Sequence, residues 1–252
     1  MLKILLTRKV IICCGKSELD THFFYCSYVI YCMKRKILIV LLIPLICMGM
    51  TYKLGTTSKT LKGKTIYLDP GHGGKDVGTS INEIYEKDIN LEISQYLKQE
   101  LLNRGAVVLM TREGDYDLSS PSASLRKRSD FDNRIKLINN SNADMYLSIH
   151  INYLSQTQYS GAQVFYNKDN EQLANVFQQV LNEELGSTRE YKKMERDYYM
   201  YKRLNKPGLL VECGFISNYQ ERKKLITPEY QKKIAVAIAN AIETHFKTQN
   251  IS

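Results

Sequence analysis

From residue 63 onward, apolar positions recur in two periods that take turns along the chain. Short apolar runs at 64–68, 106–110, 144–149, 161–166 and 208–213 read as strands. Between them lie segments with helical spacing. Over 86–103, Ile89, Ile93, Leu97 and Leu101 recur every fourth residue, and Gly105 ends the helix. Residues 125–139 form a basic helix with Phe131, Ile135 and Ile138 facing inward. Residues 170–185, stopped by Gly186, and 218–225 are further helices, and a last one at 230–246 follows Pro228. The link 111–124 is polar and 187–200 is a charged loop, with 198–204 extended. Strands interleaved with helices predict an α/β fold: a single domain, a mixed, mostly parallel twisted sheet flanked by helices on both faces. The short link between the third and fourth strands also allows those two to pair antiparallel.

The first 62 residues do not share this pattern. Residues 1–32 hold brief apolar clusters without sustained period and read as an upstream extension without a fold. Met33-Lys34-Arg35-Lys36 then precedes the apolar run 37–50, the order of a signal or anchor, here assigned to 33–52. Met33 is the expected natural start, and N-terminal sequencing that finds earlier residues would contradict this. The run is shorter than the about 20 residues of a comfortable membrane span, although flanking Lys and Arg can snorkel. No small-x-small cleavage site follows cleanly, and Ile46 before Cys47 does not suit a lipobox. The expectation is export with an uncleaved N-terminal membrane anchor through 37–52, and cleaved secretion as the alternative. The basic cluster stays cytoplasmic and sends the following domain outward. A polar linker, 53–62, joins it to the domain at 63–252.

Composition narrows the partners. A net charge of +9 suits an anionic partner such as nucleic acid, a membrane surface or an acidic wall polymer. No nucleic-acid motif supports the first. Five of the six cysteines lie before residue 50 and Cys213 stands alone, so no disulfide framework or zinc-finger spacing exists in the domain.

Candidate chemistry gathers at strand ends. Tyr67-Leu68-Asp69-Pro70-Gly71-His72-Gly73-Gly74 starts as a strand, which Pro70 stops, and presents His72 on a glycine-rich turn. Alone, this is as well read as a turn that happens to hold a histidine. His150 closes the third predicted strand in the same way, whereas His22 and His245 read as surface residues. Two strand-end imidazoles on one edge suit a shared zinc ion with a carboxylate as third ligand. Glu86, opening the first helix, is the preferred carboxylate over its alternative role of compensating the helix dipole. Asp69 and Asp76 compete with it, and Asp69 also suits orienting a ligand from behind. Glu212 lies in an apolar strand, where a carboxylate is costly unless paired or functional. It is the candidate proton shuttle; the alternative is a core carboxylate paired with an arginine such as Arg134.

Four stretches in order carry a resemblance: Ile66-Tyr67-Leu68-Asp69-Pro70-Gly71-His72-Gly73-Gly74-Lys75-Asp76, Glu86-Lys87-Asp88-Ile89-Asn90, Ser148-Ile149-His150-Ile151-Asn152, and Gly208 to Asn218 (GLLVECGFISN). Together they resemble the zinc-dependent N-acetylmuramoyl-L-alanine amidases, the type 3 amidase family, over nearly all of 63–247. The resemblance implies zinc held by His72, Glu86 and His150, with Glu212 as catalytic acid/base. It implies cleavage of the amide between N-acetylmuramic acid and L-alanine, with a peptidoglycan glycan strand and its stem peptide as partner. The compact form, without wall-binding repeats, is similar to the sporulation and germination type. That type strips stem peptides so that muramic-lactam can form in the spore cortex, and it acts facing the wall or cortex. The short interval from His150 to Glu212 leaves little room for the autoinhibitory helix of division amidases. Tyr153 departs from the small residue usual in the family. A catalytically silent wall-binding module and a zinc peptidase acting within the stem peptide are the competing readings. Dependence on an accessory protein is not derivable from the sequence.

Overall fold

The computed structural model describes residues 59–167, 169–194 and 198–249. The segments read as extension, anchor and most of the linker lie outside these residues. Among the described residues, no helix is long and apolar enough to cross a membrane.

One six-stranded sheet runs in the order β4-β1-β5-β8-β6-β7. The strands are β1 (Thr65–Pro70), β4 (Val107–Met110), β5 (Met145–Asn152), β6 (Gln163–Tyr166), β7 (Lys192–Lys193) and β8 (Gly208–Phe215). The helices are α1 (Glu86–Asn103), α2 (Arg126–Asn139), α3 (Glu171–Leu185), α4 (Tyr219–Leu225) and α5 (Pro228–Gln249). Strands β4, β1, β5 and β8 are parallel neighbours, and β6 is antiparallel to β8. The expected mixed, mostly parallel sheet with helices on both faces is therefore present.

Side chains alternate across the sheet, and this two-residue period assigns every position to a face. Ile66, Leu68, Leu147, Ile149, Leu209 and Val211 point to the larger core, shared with Ile93 and Leu97 of α1, Phe177 of α3 and Ile238 of α5. Fully burying each such side chain contributes about 1.5–3 kcal/mol. Tyr67, Tyr146 and Leu210 point the other way, against Ile138 of α2 and the segment bearing Met200, Tyr201 and Leu204. By the same parity Asp69, Ser148, His150 and Glu212 face this second layer, towards its carboxyl edge.

Two local expectations change, and one unassigned stretch gains structure. The fourth predicted strand is antiparallel, but its partner is β8 and not β5, because β8 inserts between them. Residues 198–204 are not an extended strand; Tyr201–Arg203 forms a 3₁₀ turn that buries Tyr201, with Met200 and Leu204 buried on either side of it. The stretch before α1, to which the sequence pattern assigns no element, is structured. It contains a hairpin of β2 (Ser80–Ile81) and β3 (Ile84–Tyr85), whose turn residues Asn82 and Glu83 both have positive φ (50° and 62°).

Candidate metal centre

The turn after β1 is held by its backbone. Gly71 N donates to Ile149 O of β5 at 2.9 Å, and His72 follows at φ 62°, a conformation that side-chain-bearing residues seldom adopt. Two buried arginines fix it there. Arg112 donates from Nε to Pro70 O (3.0 Å) and from Nη2 to Gly71 O (2.9 Å). Arg134 donates from Nη1 to Pro70 O (2.9 Å) and from Nη2 to His72 O (2.6 Å). Arg134 is itself paired with Asp69 at 2.6 Å and Asp130 at 2.9 Å. This contradicts the alternative pairing of Arg134 with Glu212: the guanidinium is committed to two other carboxylates, and Glu212 keeps none of it.

The hairpin returns the chain so that α1 begins beside this turn. Glu86 N donates to Thr79 O, and Thr79 N donates to Glu86 Oε2, both at 2.9 Å. Glu86 Oε1 then lies 3.2 Å from His72 Nε2 and 2.9 Å from His150 Nδ1. One donor atom from each of His72, Glu86 and His150 falls within 4.8 Å of the others, and no further His, Cys, Asp or Glu joins this group among the described residues. Ligands of a tetrahedral ion at about 2.0–2.1 Å stand roughly 3.3 Å apart, so the spacing suits a shared cation.

Two further observations fit a cation. Asp76 Oδ2 approaches His72 Nδ1 to 3.0 Å, yet this nitrogen is buried without a properly directed hydrogen bond. A carboxylate behind one ring nitrogen, while the other faces Glu86, is the arrangement common around metal-ligating histidines. The glycines match too. A Cβ on Gly71 would stand 2.2 Å from the His150 ring, and one on Gly78 (φ 68°) would stand 2.6 Å from Glu86 Oε2. Neither position admits a side chain without displacing a member of the cluster.

The electrostatics are those of a compact charge cluster. Burial disfavours the charged form of His72, but the Asp76 and Glu86 carboxylates outweigh it and raise its pKa to about 9. Burial likewise pushes Glu86 up, while the two imidazoles hold it far below the usual carboxylate range. Asp69, which competed as a ligand, is not in the group. Its oxygens accept from Thr111 Oγ1 (2.7 Å), Ser148 Oγ (2.8 Å) and Arg134 Nη1 (2.6 Å). It reaches His72 only through Arg134 and the backbone. Tyr153 follows β5, is half exposed, and lies outside the cluster.

Glu212 is the register partner of His150 on the adjacent strand, so both side chains rise from one row on one face. Its Oε2 is buried with no hydrogen-bond partner. Burial, then the charge of Glu86, pushes its pKa up to about 8, against the opposing effect of His72. Beside it opens a cleft of about 220 Å³, walled by Phe131, Leu210 and the Tyr198 to Tyr201 segment. A carboxyl group at such a position can take and return a proton near neutral pH.

Reasoning from sequence missed Arg112 altogether and met Arg134 only as a rival partner. The signal for Arg134 was present: position 134 shares a helix face with Phe131 and Ile138, so this arginine had to be buried.

An α/β sheet carrying two imidazoles and a carboxylate at its carboxyl edge, with a buried carboxyl group one strand away, places a candidate metal site on an open-sheet fold of the kind that binds ligands at this edge. The comparisons narrow the class. Residues 66–244 match the family model described as N-acetylmuramoyl-L-alanine amidase. The chain is 42% identical over 195 residues to the germination-specific N-acetylmuramoyl-L-alanine amidase of Bacillus subtilis, covering 75% of this chain and 82% of that protein. Its fold matches the CwlD amidase of Clostridioides difficile, solved in complex with the GerS lipoprotein, with TM-score 0.70 and 39% identity, over 74% of this chain and 100% of that one. An N-acetylmuramoyl-L-alanine amidase from Clostridium difficile 630 matches with TM-score 0.64 and 28% identity, over 73% of this chain and 97% of that one. The chain belongs to the N-acetylmuramoyl-L-alanine amidase family, and it is an amidase of peptidoglycan.

Proposed function

We propose that His72, Glu86 and His150 hold a zinc ion, that Glu212 is the proton shuttle, and that the enzyme trims peptidoglycan during sporulation or germination. The observation that carries the reading is Glu212, partnerless at Oε2 and in register with His150. Two imidazoles and one carboxylate leave coordination open for water, the pattern of a catalytic rather than a closed structural zinc site. A bound zinc ion supplies Lewis acidity and lowers the pKa of water. The chain's own groups do the rest. Glu212 takes a proton as water attacks the muramoyl amide carbon, and returns it to the amine of L-alanine as the C–N bond breaks. Arg112 and Arg134 keep His72 aimed, and Asn90 Nδ2, 3.3 Å from Glu86 Oε1, steadies the carboxylate.

Similarity to a germination-specific relative supports a role in the spore cortex, in line with stem-peptide removal ahead of muramic-lactam formation. The lipoprotein complex of a structural relative supports an accessory partner for this chain as well. Residues 33–52 are proposed to direct export and anchor the domain facing the wall or cortex, with 1–32 as an upstream extension and 53–62 as linker. Membrane fractionation with and without 33–52 tests the anchor.

Metal content and product analysis test the core of the reading. The wild-type chain is expected to hold zinc and to leave free lactyl carboxyls on muramic acid, and His72→Ala to lose both. Cuts within the stem peptide would point instead to a peptidase.

A further inference from the structure

Arg189 is the most conspicuous cation that the chemistry above does not use. It precedes β7, and its backbone is fixed: its carbonyl accepts from Asn182 Nδ2 at 2.8 Å, and Glu190 O accepts from Gln163 Nε2 at 2.8 Å. Its guanidinium rests on two aromatic rings, 5.0 Å from the centroid of Tyr159 and 5.1 Å from that of Phe215. Yet it is chemically underused. Nε is buried with no hydrogen-bond partner, and Nη2 has a long contact of 3.4 Å to Gln163 Oε1. Charge-assisted bonds from a guanidinium are usually about 2.7–2.9 Å. No carboxylate among the described residues forms an ion pair with it. Glu221, the acid near enough to feel its charge, gives its oxygens to Gly161 N (2.8 Å) and Phe215 N (2.7 Å).

Its location gives this unused fork a meaning. Gln163 is the register partner of Glu212, as Glu212 is of His150. The three residues form one row across β5, β8 and β6, with Arg189 beyond its far end. Adjacent strands are about 4.8 Å apart, so Gln163 stands roughly 10 Å from His150. The proton shuttle must lie on the side of the departing amine, so the leaving peptide extends over Glu212 towards Gln163. An extended peptide advances about 3.3–3.6 Å per residue, which brings its second or third residue to Arg189.

We propose that Arg189 binds a carboxylate on the second or third residue of the leaving stem peptide and so sets substrate preference for acidic over amidated peptides. Tyr159 and Phe215 flank the guanidinium and limit its freedom, which reduces what must be ordered on binding. The inference rests on the proposed amidase site and its shuttle.

The test uses the zinc-loaded full chain and two synthetic N-acetylmuramoyl peptides. One carries free carboxylates on its second and third residues; in the other both are carboxamides. Wild type is expected to favour the acid through KM. Arg189→Gln should lose about 10- to 100-fold in kcat/KM on the acid, the size of a charged hydrogen bond, and change little on the carboxamide. Arg189→Lys should retain part of the preference. The wild-type comparison needs no variant and stands even where one folds poorly. Equal wild-type rates on both peptides, or an equal loss on both in Arg189→Gln, would overturn the proposal. A wild type that cleaves neither would instead overturn the amidase site itself.

Discussion

Replacing Arg134 by methionine separates the clamp from the cluster it supports. Arg134→Met leaves Asp69 buried without its 2.6 Å partner and leaves His72 O without its donor. Removing one member of a buried ion pair costs about 3–5 kcal/mol. Thr111 and Ser148 still donate to Asp69, so the lower end, about 3 kcal/mol, is expected. For a domain of this size each kcal/mol lowers Tm by about 2–4 °C, giving a fall of roughly 6–12 °C in the metal-free protein. Zinc affinity should fall as well, by about 10- to 100-fold, because residues behind metal ligands carry effects of that size. Adding Asp69→Asn removes the more deeply buried of the two stranded charges, Asp130 being the other, and should restore part of the stability. It should not restore zinc affinity, since His72 O still lacks its donor. Thermal unfolding followed by circular dichroism, with chelator competition for zinc, reads both quantities. Unchanged zinc affinity in Arg134→Met would refute the view that the guanidinium sets the histidine turn.

Other perturbations probe the same centre. Gly71→Ala places a methyl group 2.2 Å from the His150 ring, so zinc affinity should drop by at least about tenfold while the helical circular-dichroism signal persists. An unaltered affinity would show that the ring can move aside. Because the His72 pKa is raised to about 9 in the metal-free cluster, a proton occupies the ring at neutral pH and must leave when zinc enters. Apparent zinc affinity is therefore expected to rise with pH from 7 towards about 9 and then level off, at up to tenfold per pH unit. Titration at several pH values checks this, and a flat profile would contradict it.

What the sequence made legible was mostly local. Strand ends, the glycines around His72, the acid opening α1 and the buried Glu212 are each legible from the few residues on either side of them. The two-residue period of β5 and β8 also puts His150 and Glu212 in reach once their register is known. That register is non-local and had to come from the fold. So did the insertion of β8 between β5 and β6, which makes β6 the antiparallel neighbour of the shuttle strand. The hairpin before α1 escaped notice because Asn82 is a usual positive-φ residue and Glu83 is not. Arg112 was hidden for a different reason. Arginine in a basic sequence reads as surface, and it is backbone carbonyls of the β1 turn and of Lys87, brought in from far away, that make its burial favourable.

The most direct test of the central claim replaces Glu212 by glutamine, which keeps the side-chain shape and removes its ability to carry the proton. The account expects full zinc occupancy by elemental analysis, with release of stem peptide from purified muropeptides slowed by about 100-fold or more. Wild-type turnover by a zinc-replete Glu212→Gln enzyme would contradict it.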